Sequence, residues 1–168
     1  MIDVILVITT LVCLYTDLRY KKIYNVVLIP ALAIGFLANI YTYGISGGIS
    51  SIKGFVLGLI LLFIPFALGG MGGGDVKLLG VIGAIKGPDF VFSVFLVAAL
   101  IGGIISIVVM IRQGNFTERF KAVIFTFLSM LHLIPPVNLL KGKESEQVIS
   151  FPYGIALAAG TFMAYLVR

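Results

Sequence analysis

In a chain of 168 residues that is 60% apolar, two aspartates occupy positions where an acidic group has chemical rather than packing value. Asp75 follows three glycines in GGMGGGDVKLLG, residues 69–80, and Asp17 ends the first apolar run in TDLRYKKIYN, residues 16–25. A glycine run sacrifices backbone order, and a carboxylate beside a membrane-spanning segment is expensive unless it is paired or functional. Two carboxylates that meet in a partly wet cavity cannot both ionise, so one keeps its proton while the other is charged. The charged one activates water. The protonated one polarises a carbonyl and then protonates the leaving amine, which is general acid–base hydrolysis without metal or cofactor. Each aspartate also has a plainer reading. Asp75 can cap the helix that follows the glycines, and Asp17 can form a solvated pair with Arg19, Lys21 and Lys22.

The elements that must position these residues follow from hydropathy. Only 11% of residues are charged and the mean hydropathy is +1.17, which leaves too little polar surface to cover a soluble globule. The chain reads as an all-α integral membrane protein with spans at 2–16, 26–43, 52–68, 76–87, 90–111 and 149–167, each bounded by glycine, proline or charge. The expected fold is a single membrane-embedded domain over residues 1–168, a bundle of about six transmembrane helices. Between spans 5 and 6, Phe116, Phe120, Val123, Ile124, Phe127 and Leu131 form an apolar stripe away from Glu118, Arg119 and Lys121. That pattern predicts an amphipathic interfacial helix within 116–140. A further span competes with it, but the uncharged run 122–134 is short, contains His132 and ends at Pro135 and Pro136.

With six spans, Arg19, Lys21, Lys22, Lys77, Arg112, Arg119, Lys121, Lys141 and Lys143 fall on one side, against Lys53, Lys86 and Arg168 on the other. The first side is cytoplasmic by the positive-inside rule, and Asp17 and Asp75 both lie there. Span 4 covers only about 18 Å against a hydrocarbon core of about 30 Å. The glycine segment is therefore expected to dip inward with Asp75, lining a protein cavity, and Pro65 would help bend span 3 away from it. The glycines would also let an extended peptide approach and pair by strand addition.

Other chemistries fit poorly. The basic residues form short clusters between apolar runs, so nucleic acid is not an expected partner. The single cysteine, Cys13, allows no internal disulfide, and no grouping of Cys, His and acids has metal-ligand spacing. GGMGGGDVK matches neither phosphate-binding glycine pattern. The first apolar run reads as a retained helix rather than a signal peptide, since Asp3 replaces a basic n-region.

Gly72, Gly73, Gly74 and Asp75 resemble the GxGD motif of intramembrane aspartyl proteases, and GGGDVKLLG is similar to its form in type IV prepilin peptidases. TDLRYKKIYN resembles that family's first-aspartate motif, with Tyr24 at the place of its proline and Asn25 as the closing asparagine. FPYGIALAAG, residues 151–160, resembles the Pro-Tyr-Gly motif that opens the last span. The resemblance implies catalytic roles for Asp17 and Asp75 and supporting roles for Gly72, Gly73, Gly74, Lys77, Asn25, Pro152, Tyr153 and Gly154, with no cofactor and no metal. It further implies an endopeptidase of the inner (plasma) membrane that removes the basic leader of a prepilin or pilin-like substrate at the cytoplasmic face. A chain that begins shortly before Asp17 and holds one cysteine is similar to the short, peptidase-only form associated with Flp or Tad pili, with an archaeal preflagellin-type peptidase as the alternative.

Two readings from other classes stand beside this one: a small ion-coupled transporter using the same aspartates, and a non-catalytic scaffold. Membrane lipid is an expected partner of Arg19, Lys21 and Lys22, which set topology and attract anionic headgroups. Lys77, about 200° around the helix from Asp75, is expected to point away from it and reach the interface or a lipid phosphate. No oligomeric state follows from the sequence.

Overall fold

A computed structural model describes residues 2–67, 71–112 and 153–166. The described residues are helical apart from short connections, in five helices: α1 (Ile2–Tyr20), α2 (Asn25–Ala67), α3 (Gly73–Lys86), α4 (Pro88–Arg112) and α5 (Gly154–Leu166). The chain divides into two compact units, residues 1–102 with 151–168, and residues 103–150. The first contains both aspartates. The expected interfacial helix within 116–140, and Pro152, lie outside the described residues.

A straight helix of 43 residues would reach about 65 Å, twice a bilayer core, and α2 does not remain straight. Gly44 leaves helical geometry at φ 64° and ψ −149°, a conformation that glycine alone adopts without strain. Two side chains on opposite sides of Gly44 show how far the chain turns. Asn39 Nδ2 donates to the carbonyl of Ala84 at 3.1 Å, and Ser51 Oγ donates to the same oxygen at 2.6 Å. In an unbroken helix these residues would be about 18 Å apart. α2 is therefore a hairpin of two arms, which correspond to the expected spans 2 and 3.

Both arms pack on α3. Along the first arm, Asn25 meets Lys77 and Gly35 meets Ile85, so it runs parallel to α3. Along the second, Gly54 lies on Gly83, Gly58 on Leu79 and Gly80, and Phe66 on Gly73, so it runs antiparallel. The backbones of Gly54 and Gly83 touch directly and leave no room for a Cβ on either. The spacing Gly54-x-x-x-Gly58 is the small-residue arrangement that lets apolar helices approach this closely. α3 is consequently buried almost throughout, from Leu78 to Ile85 without a break.

The remaining contacts fix the other directions. Asp17 near the end of α1 touches Gly154 at the start of α5, while Asp3 at the start of α1 touches Tyr165 near the end of α5 and Lys86 at the end of α3. α1 is thus antiparallel to both. α4 starts where α3 ends and passes α5 in the opposite sense, through Phe90 on Tyr165, Val94 and Ala98 on Gly160, and Gly102 on Tyr153.

The exterior carries hydrocarbon. On α1, Val4, Ile8, Leu11, Tyr15 and Leu18 form an exposed stripe, whereas Leu6, Thr10, Cys13 and Asp17 face inward. An apolar outer face around a partly polar inner one suits lipid rather than water. Among the described residues, two helices are long and apolar enough to cross a membrane, Asn25–Ala67 and Pro88–Val108.

Candidate active site

The structure brings Asp17 and Asp75 to one end of the first unit. Asp17 lies in the last turn of α1, which continues to Tyr20, four residues past the expected span boundary at residue 16. The helix stops one turn later, where the Lys21 N–H donates to the Asp17 carbonyl at 2.8 Å and Lys21 itself takes a left-handed φ of 51°. That costs a non-glycine residue about 1 kcal/mol. It turns the chain so that Ile23 lies against Gly74 at the start of α3, where a Cβ on Gly74 would sit 2.9 Å from the Ile23 Cβ.

Asp75 lies in the first turn of α3. Span 4 was expected to begin at residue 76 after a glycine loop, but the helix begins at Gly73, so Gly73 and Gly74 form its first turn and Gly72 is the N-cap. Early helical positions tolerate glycine because their N–H groups lack intrahelical partners in any case. At 14 residues, α3 spans about 21 Å, still short of a bilayer core. Gly72 has extended backbone and accepts the Asp75 N–H at 3.2 Å. No side-chain cap closes the helix, so the capping explanation for Asp75 does not describe this helix end.

Both carboxylates are buried, at 6% exposure for Asp17 and 7% for Asp75. The Gly154 N–H donates to Asp17 Oδ2 at 3.0 Å across 137 positions of sequence. Glycine is required there, because a Cβ on residue 154 would stand 2.5 Å from that oxygen. Asp75 Oδ1 has no hydrogen-bond partner among the described residues, and a buried acceptor in that state calls for an explanation. The two aspartates lie within electrostatic reach of one another, and Tyr153 lies within reach of Asp75. The solvated pair considered for Asp17 is absent among the described residues. Arg19 instead donates to the Tyr15 hydroxyl at 2.9 Å and covers the Tyr20 ring.

Of the other sequence candidates, Gly72 faces Asp75, and a Cβ there would lie 3.5 Å from Oδ2. Gly73 accommodates Phe66, which would be 3.4 Å from an added Cβ. Lys77 and Asn25 are found together, with Lys77 Nζ donating to Asn25 Oδ1 at 3.2 Å on the exposed side. They join the start of α3 to the start of α2. Sequence reasoning did not single out Ile23, Phe66 or Gly102, which shape the site, nor Asn39 and Ser51, which fix the far end of α3.

A cavity of about 740 Å³ lies at that far end, lined by Asp3, Asn39, Thr42, Ser46, Ser50 and Lys86 among others. Its two charged groups are engaged with each other, Lys86 to Asp3. The two buried carboxylates lie at the other end. A buried carboxylate already holding a backbone donor, beside one with an open oxygen, can share a proton and orient a water. No group of three or more potential metal ligands occurs among the described residues.

Comparison with curated proteins and with solved structures gave no match. The model of the type IV leader peptidase family matches residues 4–107, a stretch that includes most of α1, all of α2 and α3, and both Asp17 and Asp75. The chain belongs to the type IV leader peptidase family.

Proposed function

We propose that this protein is an intramembrane aspartyl endopeptidase that removes the basic leader of prepilin-like proteins at the cytoplasmic face of the inner membrane. The observation that carries the reading is the pairing of two buried aspartates from α1 and α3 at one end of the bundle, one of them with an unpartnered oxygen. In the proposed reaction the ionised carboxylate takes a proton from water as its oxygen attacks the scissile carbonyl carbon. The protonated carboxyl hydrogen-bonds the carbonyl oxygen, which becomes negative. Collapse of the tetrahedral intermediate breaks the C–N bond, one of the two protons now on the carboxyls passes to the leaving amine, and the dyad is left with the single proton it began with.

We further propose six membrane crossings: α1, the two arms of α2, α3, α4 and α5. The alternating directions of these segments support this reading. Basic residues beside the dyad end, Arg19, Lys21, Lys22 and Lys77, against Lys53 and Lys86 at the other, support a cytoplasmic site. Membrane lipid would surround the apolar exterior, and Arg19, Lys21 and Lys22 would bind its anionic headgroups.

The test is reconstitution in liposomes with a prepilin-like substrate carrying a basic leader. Cleavage before the hydrophobic segment, unchanged by EDTA, is expected. Ion flux without peptide cleavage would replace this reading with a transport role for the same aspartates.

A further inference from the structure

Tyr153 and Gly154 enter the site together, immediately before and at the start of α5. Gly154 is engaged with Asp17 through its backbone, and the Tyr153 side chain packs at the margin of the core. Its ring lies against Gly102 of α4, where a Cβ would be 2.7 Å from Cε2 and 3.5 Å from both Cζ and the hydroxyl oxygen. Any larger residue at 102 would push the ring out of this position. Among the described residues the Tyr153 hydroxyl makes no hydrogen bond, and the residue is half-buried. Asp75 Oδ1 also has no partner. The two groups feel one another electrostatically without a direct hydrogen bond. Because Tyr153 directly precedes Gly154, whose N–H holds Asp17, an open donor and an open acceptor lie at the same end of the unit and can both engage a third group.

We propose that Tyr153 is a catalytic residue of this site, its hydroxyl donating a hydrogen bond to the scissile carbonyl oxygen as that oxygen becomes negative, with Gly102 as the positioning residue that seats its ring. No proton is transferred in this role. The phenol stays neutral and supplies a preorganised dipole where charge develops, which is worth more in the transition state than in the bound substrate. The idea rests on the aspartyl peptidase reading and adds a third group to it.

The experiment compares wild type with Tyr153→Phe, Gly102→Ala and the double variant in liposome cleavage, with thermal unfolding measured alongside. Tyr153→Phe keeps the ring and its seat, so its melting temperature should match wild type. Its kcat should fall about 10- to 100-fold, the scale of one lost transition-state donor, with KM changed less than about threefold. Gly102→Ala should lower kcat in the wild-type background and add little in the Y153F background, because it acts through the hydroxyl. A Y153F variant with wild-type kcat would overturn the proposal, as would additive losses in the double variant. If Asp17→Asn and Asp75→Asn are inactive while Y153F is fully active, only this inference fails; if the aspartate variants also cleave, the peptidase reading fails with it.

Discussion

At the scale of single residues, the candidates were legible where a residue type is expensive in hydrocarbon. Asp17 and Asp75 could be picked out for that reason, and both are buried at the same end. The group that holds Asp17 could not, because it is a backbone N–H and has no side chain of its own. Only the glycine at 154 hints at it, through the space it leaves. Gly154→Ala should lower kcat by at least about 10-fold, the scale of one displaced hydrogen bond to a charged group. Kinetics beside a thermal melt would check this, and full activity would mean that the contact does not orient Asp17. Lys77 and Asn25 were each visible in the sequence, but their bond joins two helices and was not. Lys77→Met is expected to cut activity partially, about 10-fold. Asn25→Leu should do the same, and the double variant no more than either alone. Additive losses measured in that cycle would show that the two act separately.

At the scale of elements, apolar runs located the helices, and the errors fall where glycine was read only as a breaker. Glycines 73 and 74 begin α3 instead of preceding it, because the first turn of a helix forgives them. Gly54 and Gly58 were passed over as ordinary members of an apolar run, although their four-residue spacing marks the face on which α2 meets α3. Backbone-to-backbone contact at Gly54 and Gly83 leaves no soft side chain to yield. Gly83→Leu should therefore separate the helices and destabilise the protein by more than the usual overpacking cost of about 1–3 kcal/mol. A fall in the detergent unfolding midpoint checks it. An unchanged midpoint would contradict the close approach. Gly44 shows what the residue string withholds. Hydropathy separates the two arms there, but the positive φ and the fold-back onto Ala84 depend on partners 45 positions away.

At the scale of the whole molecule, composition alone indicated a lipid environment, and the outward apolar stripe of α1 agrees with it. Which end faces the cytoplasm rests on charge. Neutralising Arg19, Lys21 and Lys22 together should reduce correct insertion, read by cysteine labelling from each side of the membrane, more than it reduces turnover per inserted molecule. The reverse result would give these cations a role in the reaction. The central claim is that two aspartates contributed by different helices act as one acid–base pair. The most direct measurement is kcat for Asp17→Asn and Asp75→Asn, each confirmed as folded and inserted, on a prepilin-like substrate in liposomes. Each change removes half of a coupled pair, so cleavage should fall to background in both; substantial turnover by either variant would contradict the account.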